Sequence, residues 1–440
     1  MDKIKNSGVL LFIILVIIIV HIPDKLISQG YTGGGGRVTL NSDSVTHSAR
    51  DAFQRFRTSS PETLFDSKTL NDNQSLIFDD QQTSGSGTTS TFNSNRSSVL
   101  LATSNLISGT RVRQTFKRIN YQPGKSQLII LTGILGNQEN GTTKRIGLFD
   151  SNNGLFFEQN EFGFGVVRRT NTTGTPIDNF VFQSDWNLDK MDGTGASNIY
   201  LDVTKTQIFV IDFQWLGVGT VRFGVSINGV TYYVHQMKHA NNLDVVYMST
   251  PNLPVRYEIS NSGTGPASSL EIICATVISE GGRQGGGIER AVDRGSTAMV
   301  TLNNASIYPL VSIRLKSTHL GSLIQIKNIS VVCNSNTSYR WVLLLNPTIV
   351  GTALNFSSIT NSSLEANTTS LNVTTVTGGT PIASGYAQSA NEGALNLSID
   401  SDFAIGSNIA GTPDVLVLAV QRLAGTTETF YGSLSVKEIN

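Results

Sequence analysis

Thr220-Val-Arg-Phe-Gly-Val-Ser-Ile-Asn-Gly-Val-Thr-Tyr-Tyr-Val234 reads as two strands joined by a two-residue turn. Val225 and Ile227 flank Ser226, Val230 and Tyr232 flank Thr231, and Asn228-Gly229 sits between the two runs. Asn and Gly accept the positive φ that a type I′ turn demands at both central positions, so this is the strongest hairpin signal in the chain. The same short β-branched or aromatic runs recur on both sides, at Ser126–Leu131, Arg145–Phe149, Gly154–Phe157, Gly163–Arg168 and Gln207–Phe213. Gly, Asn, Asp or Pro bound each of them, as they bound strands. With no helical pattern between them, residues 99–282 are expected to form one β-sandwich, jelly-roll-like and lectin-like in outline.

Farther out, Glu280–Gly287 is a glycine-rich connection, and strand-like runs resume at Thr297–Leu302, Val311–Leu315, Ser322–Val332, Arg340–Leu345, Ala394–Ile399, Asp414–Val420 and Gly432–Ile439. A second, smaller β-sandwich over 290–440 is the simplest account. No internal repeat of solenoid or propeller length is evident. The expected fold class is therefore all-β, with two sandwich domains.

Composition agrees. The chain has 440 residues, 39% hydrophobic but only 15% charged, and 42 glycines. That balance suits short strands and many turns better than amphipathic helices. Its 32 basic and 32 acidic residues cancel, so no overall field gathers nucleic acid and no nucleic-acid partner is expected. Cys274 and Cys333 lie in apolar strand-like runs, which favours two reduced, buried thiols over a single bridge between the domains.

Residues 1–29 carry a different signal. Lys3 and Lys5 precede an uncharged run that includes Leu10, Leu11, Phe12, Ile13, Ile14, Leu15, Val16, Ile17, Ile18, Ile19 and Val20, and Asp24 and Lys25 close it. The run is slightly short of the ~17–25 residues that span a bilayer. The basic flank would leave the N-terminus inside and the remainder outside. An uncleaved helical membrane anchor is the preferred reading. A cleaved signal would share its charge and length but lacks a good small-residue cleavage site, and a helix buried against protein is the third option.

Residues 30–98 read as a flexible extended arm, with Gly33–Gly36 a hinge and Thr83–Ser98 almost wholly Ser, Thr, Gly and Asn. Within it Phe53, Phe56 and Phe65, with Arg55 and Arg57 between the first pair and just beyond it, are the residue types that anchor interfaces. They are read as assembly contacts, the alternative being that they complete the core of their own domain.

Several blocks together resemble one protein family. Asp51–Asp66 (DAFQRFRTSSPETLFD), Tyr121–Leu128 (YQPGKSQL), Arg145–Glu158 (RIGLFDSNNGLFFE), Gln183–Gly195 (QSDWNLDKMDGTG), Asp212–Arg222 (DFQWLGVGTVR), Thr250–Ile259 (TPNLPVRYEI) and Ile273–Gly282 (ICATVISEGG) are similar to the pattern of little-characterised virion structural proteins of tailed bacteriophages and large DNA viruses. The resemblance covers about residues 48–290. It implies a place in the virion as a minor capsid or particle-surface component, oligomeric there and contacting other capsid or virion proteins; it supplies no catalytic residues. The hydrophobic N-terminus departs from the phage-type pattern, which favours a virus whose particle contains a membrane over a tail-fibre role. A membrane-displayed, lectin-like adhesin recognising host glycans is the alternative, and it predicts a shallow sugar site of aromatics and amides.

No enzyme, cofactor or metal is expected from the remaining candidates. Asp185, Asn187 and Asp189 alternate like the first ligands of a calcium loop, but Lys190 and Ala196 occupy the positions that need Gly and Glu. His235 and His239 have the i, i+4 spacing of a helical zinc pair, but they follow a strand and Gln236 replaces the required Glu. Gly163-Phe-Gly165 and Gly217-Val-Gly219 lack the third glycine of a dinucleotide loop. Glu158 and Glu161 could be imagined as a glycosidase pair, but spacing alone does not give a carboxyl separation. Asn-x-Ser/Thr sequons cluster beyond residue 300, and would mark the C-terminal domain as a sugar-coated face if the protein meets a glycosylation machinery.

Overall fold

The computed structural model describes residues 27–30 and 37–40 and, apart from 283–285, 297–301, 303–304, 335–336, 371–372, 389–403, 425–427 and 440, residues 59–440. Strands β1 (Ile27–Gly30) and β2 (Arg37–Leu40) pair with each other antiparallel, within a unit ending at Ser60. From Pro61 onward the chain is all-β, in two sandwich bodies built from four sheets.

The first body holds β3 (Glu62–Lys68), β4 (Phe78–Gly85), β5 (Thr88–Asn93), β6 (Ser98–Thr103), β7 (Gly109–Thr115), β8 (Gln127–Ile134), β9 (Thr142–Phe149) and β10 (Gly154–Asn160). It continues with β11 (Gly163–Thr170), β12 (Ile177–Phe182), β13 (Gln207–Phe213), β14 (Val221–Ile227), β15 (Val230–Met237), β16 (Val255–Asn261) and β17 (Ser268–Ser279). One sheet runs β12-β11-β10-β9-β16-β7-β4; the facing sheet runs β15-β14-β13-β8-β17-β6-β5, with β3 also on β17. Asn228 and Gly229 have φ of 53° and 80°, and Ile227 pairs with Val230, as the turn chemistry demands.

Period-2 alternation builds the core. Phe209, Ile211 and Phe213 of β13 face inward, and Phe157 of β10 meets them from the opposite sheet, 4.9 Å from Phe209 and 5.5 Å from Phe223 between ring centroids. Each such ring contributes roughly 1.5–3 kcal/mol of burial.

Residues 62–93 correct the expectation of a flexible arm. The sandwich begins at β3, not near residue 99, and β4 and β5 form edge strands of its two sheets. Strands of Asp, Gln, Ser and Thr at an edge need few apolar residues, and in β5 the β-branched Thr fits the pleat, so composition concealed them. Gly85 makes the crossing between the sheets: its φ is 61°, and a Cβ there would lie 2.1 Å from the carbonyl oxygen of Ser108. Phe65 is half-buried against the first core, 6.1 Å edge-on from Phe78. It packs there because β3 is tied along Cys274–Ser279 of β17.

The second body comprises β18 (Ile288–Asp293), β19 (Ile307–Leu315), β20 (Leu323–Cys333), β21 (Ser338–Leu345), β22 (Thr348–Val350) and β23 (Ser357–Ser358). The remaining strands are β24 (Leu364–Asn367), β25 (Thr375–Thr377), β26 (Thr380–Gln388), β27 (Val415–Arg422) and β28 (Phe430–Ile439). A three-stranded sheet, β18-β28-β20, packs on a larger one built around β19, β27 and β21. Trp341 and Tyr339 enter its core, and Tyr339 stands edge-on to Phe430 at 5.1 Å. Thr297–Leu302 is described only at Leu302, which is buried, and the run Ala394–Ile399 lies outside the described residues. Cys333 is buried in this core, whereas Cys274 is only half-buried on β17, opposite Lys68; neither is in a disulfide.

Candidate functional site

Two features of the first body combine charge or recognition chemistry with defined geometry. The first lies on β9, β10 and β16. Arg145 stands directly across from Glu158 on one neighbouring strand and from Glu258 on the other. Its Nε donates to Glu158 at 2.6 Å and its Nη1 donates to Glu258 at 2.5 Å, while Arg256 donates to the second oxygen of Glu258 at 2.6 Å. Burial alone would push the Glu258 carboxyl up, but Arg145 and Arg256 outweigh it and hold it below its ordinary value. Glu158 also accepts from Asn160 at 2.8 Å. Glu161, its imagined partner, is exposed in the β10–β11 turn and accepts the N–H of Gly141 at 2.9 Å.

The other sequence candidates are structural where they are described. Asp189 accepts the N–H groups of Met191 (2.9 Å) and Ser197 (2.7 Å), closing a loop, and Asn187 exchanges hydrogen bonds with the backbone of Gln236. Trp186, between them and Asp185, is buried edge-on to Phe164. His235 is on β15, and His239 lies beyond the strand, stacked 4.2 Å from Tyr247 and bonded at 2.6 Å to the carbonyl of Gly219. Among the described residues no group of His, Cys, Asp and Glu gathers to hold a metal. The sequon residue Asn367 is buried and donates to the carbonyl of Asn355 at 2.8 Å, so it is no part of an accessible sugar-coated face. Phe53, Arg55, Phe56, Arg57 and the run Leu10–Val20 lie outside the described residues.

The second feature is a cleft of about 420 Å³ at one end of the first body, which the sequence reading did not locate. Four separated segments form it. In the β10–β11 turn, Asn160 Oδ1 accepts the N–H groups of Phe162 (2.9 Å) and Gly163 (3.2 Å), and the Phe162 ring is left 75% exposed. Tyr200, also 75% exposed, is held by a bridge to Asp192 and by buried Leu201, whose N–H donates to the Met191 carbonyl at 2.8 Å. Phe182 ends β12, and Gln183 follows it with its amide anchored on the Lys190 and Met191 carbonyls. Gly136, Asn137 and Gln138 close the remaining side, with Gln138 donating to the Glu161 carbonyl at 2.9 Å.

Gln159, only 4% exposed, lies beneath these walls. Its Nε2 donates to the Gly136 carbonyl at 3.1 Å, and its Oε1 has no protein partner. Below the Gly136 loop, the buried Lys144 ammonium donates to the Asn137 carbonyl at 3.0 Å, and burial pushes its pKa down to about 8. On the rim, Asp202 accepts the hydroxyl and N–H of Thr204, and these bonds lower its pKa. The cleft thus offers exposed aromatic rings and several amides. An exposed Phe or Tyr next to amides was legible in type but not in place, since nothing local joins residues 136–138, 159–164, 182–184 and 200–204.

No family model and no curated protein matches the chain. Solved structures are similar over about half of it. A Bacillus licheniformis beta-glucanase is 10% identical, with a TM-score of 0.30, over 52% of this chain and all of its own. The carbohydrate recognition domain of Emp47p is 11% identical, with a TM-score of 0.31, over 50% of this chain and 97% of its own. The CBM2 module of the evolved Dit of Lactobacillus casei BL23 phage J-1 is 7% identical, with a TM-score of 0.34, over 52% and 100%.

Proposed function

We propose that the protein is a non-enzymatic recognition protein whose first sandwich binds carbohydrate in the Phe162–Tyr200 cleft. The carrying observation is the placing of two largely exposed aromatic rings, Phe162 and Tyr200, in one cleft with the amides of Asn137, Gln138 and Gln183. A sugar presents apolar C–H faces for the rings and hydroxyls for the amides, so one ligand type answers both groups. A binding rather than hydrolytic role is supported by the salt bridges of Arg145, which occupy Glu158 and Glu258, the buried carboxylates of the adjacent sheet. The test is glycan-array binding by the full chain against the double variant Phe162→Ala/Tyr200→Ala. Retained array binding by the double variant, or none by the parent, would overturn the assignment of this cleft.

A place in a virus particle is proposed from a separate observation, the resemblance of residues 48–290 to virion structural proteins. In that setting the protein contacts other coat subunits and is held to a membrane through Leu10–Val20, with the sandwich displayed for recognition. Mass spectrometry of purified particles tests it: a fixed stoichiometry supports the assignment, and absence from particles removes it.

A further inference from the structure

We infer that His239 is an acid-sensitive latch between two loops of the first sandwich, residues 214–219 after β13 and 238–248 after β15. Hydrogen bonds stitch the loops together. His239 Nδ1 donates to the Gly219 carbonyl at 2.6 Å, and the Tyr247 N–H donates to the Gly217 carbonyl at 2.8 Å. Trp215 Nε1 donates to the Met248 carbonyl and the Tyr247 hydroxyl to the Gln214 carbonyl, both at 3.1 Å. The imidazole also stacks on Tyr247, 4.2 Å between centroids and 13° from parallel, and its backbone carbonyl accepts the N–H groups of Asn242 and Leu243.

Only the neutral ring fits this place. Donation from Nδ1 fixes the tautomer and leaves Nε2 as the unprotonated nitrogen. Nε2 is sealed from solvent and has no partner. Protonation turns it into a buried donor facing no acceptor, in the field of Arg168 of β11, whose Nε is likewise sealed and unpartnered. The Tyr247 face favours a charged ring, but by less than a sealed, unpaired donor costs. Residues 214–219 carry no charged side chain, and Lys238 and Asp244 of the second loop are exposed, so nothing on these elements offsets Arg168. Burial, with Arg168 adding to it and the Gly219 bond opposing, holds the His239 pKa below its ordinary 6.5. The latch is therefore whole above pH 6.5 and weakens as the pH falls from there toward the folded pKa.

What it guards is apolar. Leu216, Val245 and Val246 already stand exposed on the two loops, while Trp215 is half-buried and Tyr247 and Met248 are buried. Releasing the latch adds the second group to the first, so the apolar surface at these loops grows in acid.

The experiment is hydrogen–deuterium exchange of the full chain at pH 7.5 and 5.0, corrected for the intrinsic exchange rate, with binding of an anilinonaphthalene sulfonate dye read alongside. The amides of 214–219 and 238–248 should exchange about tenfold faster at pH 5.0, relative to those of β10 and β13, and dye fluorescence should rise. His239→Phe keeps a ring on Tyr247 and cannot titrate, so its loops should exchange alike at both pH values. His235→Phe removes the other buried imidazole of β15 and should leave the acid response in place. Imidazole nitrogen shifts of the parent protein supply the same test without substitution: His239 should titrate below pH 6.5, in step with loop exchange. Equal protection of the loops at both pH values overturns the inference. So does an acid response that persists in His239→Phe, one that His235→Phe abolishes, or a His239 ring that titrates at or above 6.5.

Discussion

Gln159 Nε2 donates to the carbonyl of Gly136 across 3.1 Å, joining the end of β10 to the loop after β8. The same glycine donates its N–H to the Val203 carbonyl at 3.0 Å, so a single residue ties three walls of the cleft together. Gly136 has φ of 77°, a conformation that L side chains adopt at a cost. The cleft is thus organised by backbone geometry, with its aromatic rings presented outward from fixed turns.

Removing either ring should affect binding and spare the fold. Phe162→Ala or Tyr200→Ala is expected to weaken glycan binding about five- to tenfold, ~1–1.4 kcal/mol each. Because each ring is mostly exposed, thermal stability should change by less than about 0.5 kcal/mol. Calorimetric titration and thermal melting of the same samples check both statements.

Lys144 provides a pH signature beneath the cleft. Its pKa is depressed from 10.5 to about 8 by burial, with Glu139 opposing. Between those values the unfolded chain binds a proton that the folded chain does not, so folding stability rises with pH across that window. Relative to Lys144→Met, the parent protein should gain up to roughly 3 kcal/mol from pH 8 to 10.5. Denaturant unfolding of both proteins at several pH values measures the difference; a flat difference would remove the depressed ammonium.

Glu258 should behave in the opposite sense. Arg145 and Arg256 hold its folded pKa below 4.5, so its contribution is present above that value and is lost as pH falls through the folded pKa. Glu258→Gln takes the carboxylate from buried Arg256 and leaves part-buried Arg145 with Glu158 alone, and should cost about 3 kcal/mol at pH 7. The gap between parent and variant should close under acid, as urea unfolding at pH 7 and pH 3 would report.

Phe65→Ser should lower the melting temperature of the full chain by a few degrees. The half-buried ring packs against Phe78 and the first core, so its loss costs about 1–2 kcal/mol. An unchanged melt would restore the interface role for this residue.

Gly229→Val tests the hairpin from which the fold was read. Nothing lies within 4 Å of a Cβ at this position, so the cost is conformational and should be about 1–2 kcal/mol, from the φ of 80°. Destabilisation well beyond that would mean the turn carries contacts besides its own geometry.

The sequence by itself determined the elements whose information is local. Asn228-Gly229 encodes its own turn through positive φ, and the β-branched and aromatic run Gln207–Phe213 encodes a strand, with Phe209, Ile211 and Phe213 on the core face and Val210 and Asp212 buried on the other. The edge strands β4 and β5 escaped that logic because an edge of Thr, Ser and Gln can be stable through pairing with few inward apolar residues, so it shares the composition of a linker. Only the tertiary structure decided the rest. Arg145 meets Glu258, 113 residues away, because β9 and β16 are neighbours in register, and that register follows from burying both inner faces at once. The cleft is decided the same way: Gly136, Gln159, Phe182 and Tyr200 converge only after the sheets close, since their proximity is a property of strand order and not of any one stretch of chain.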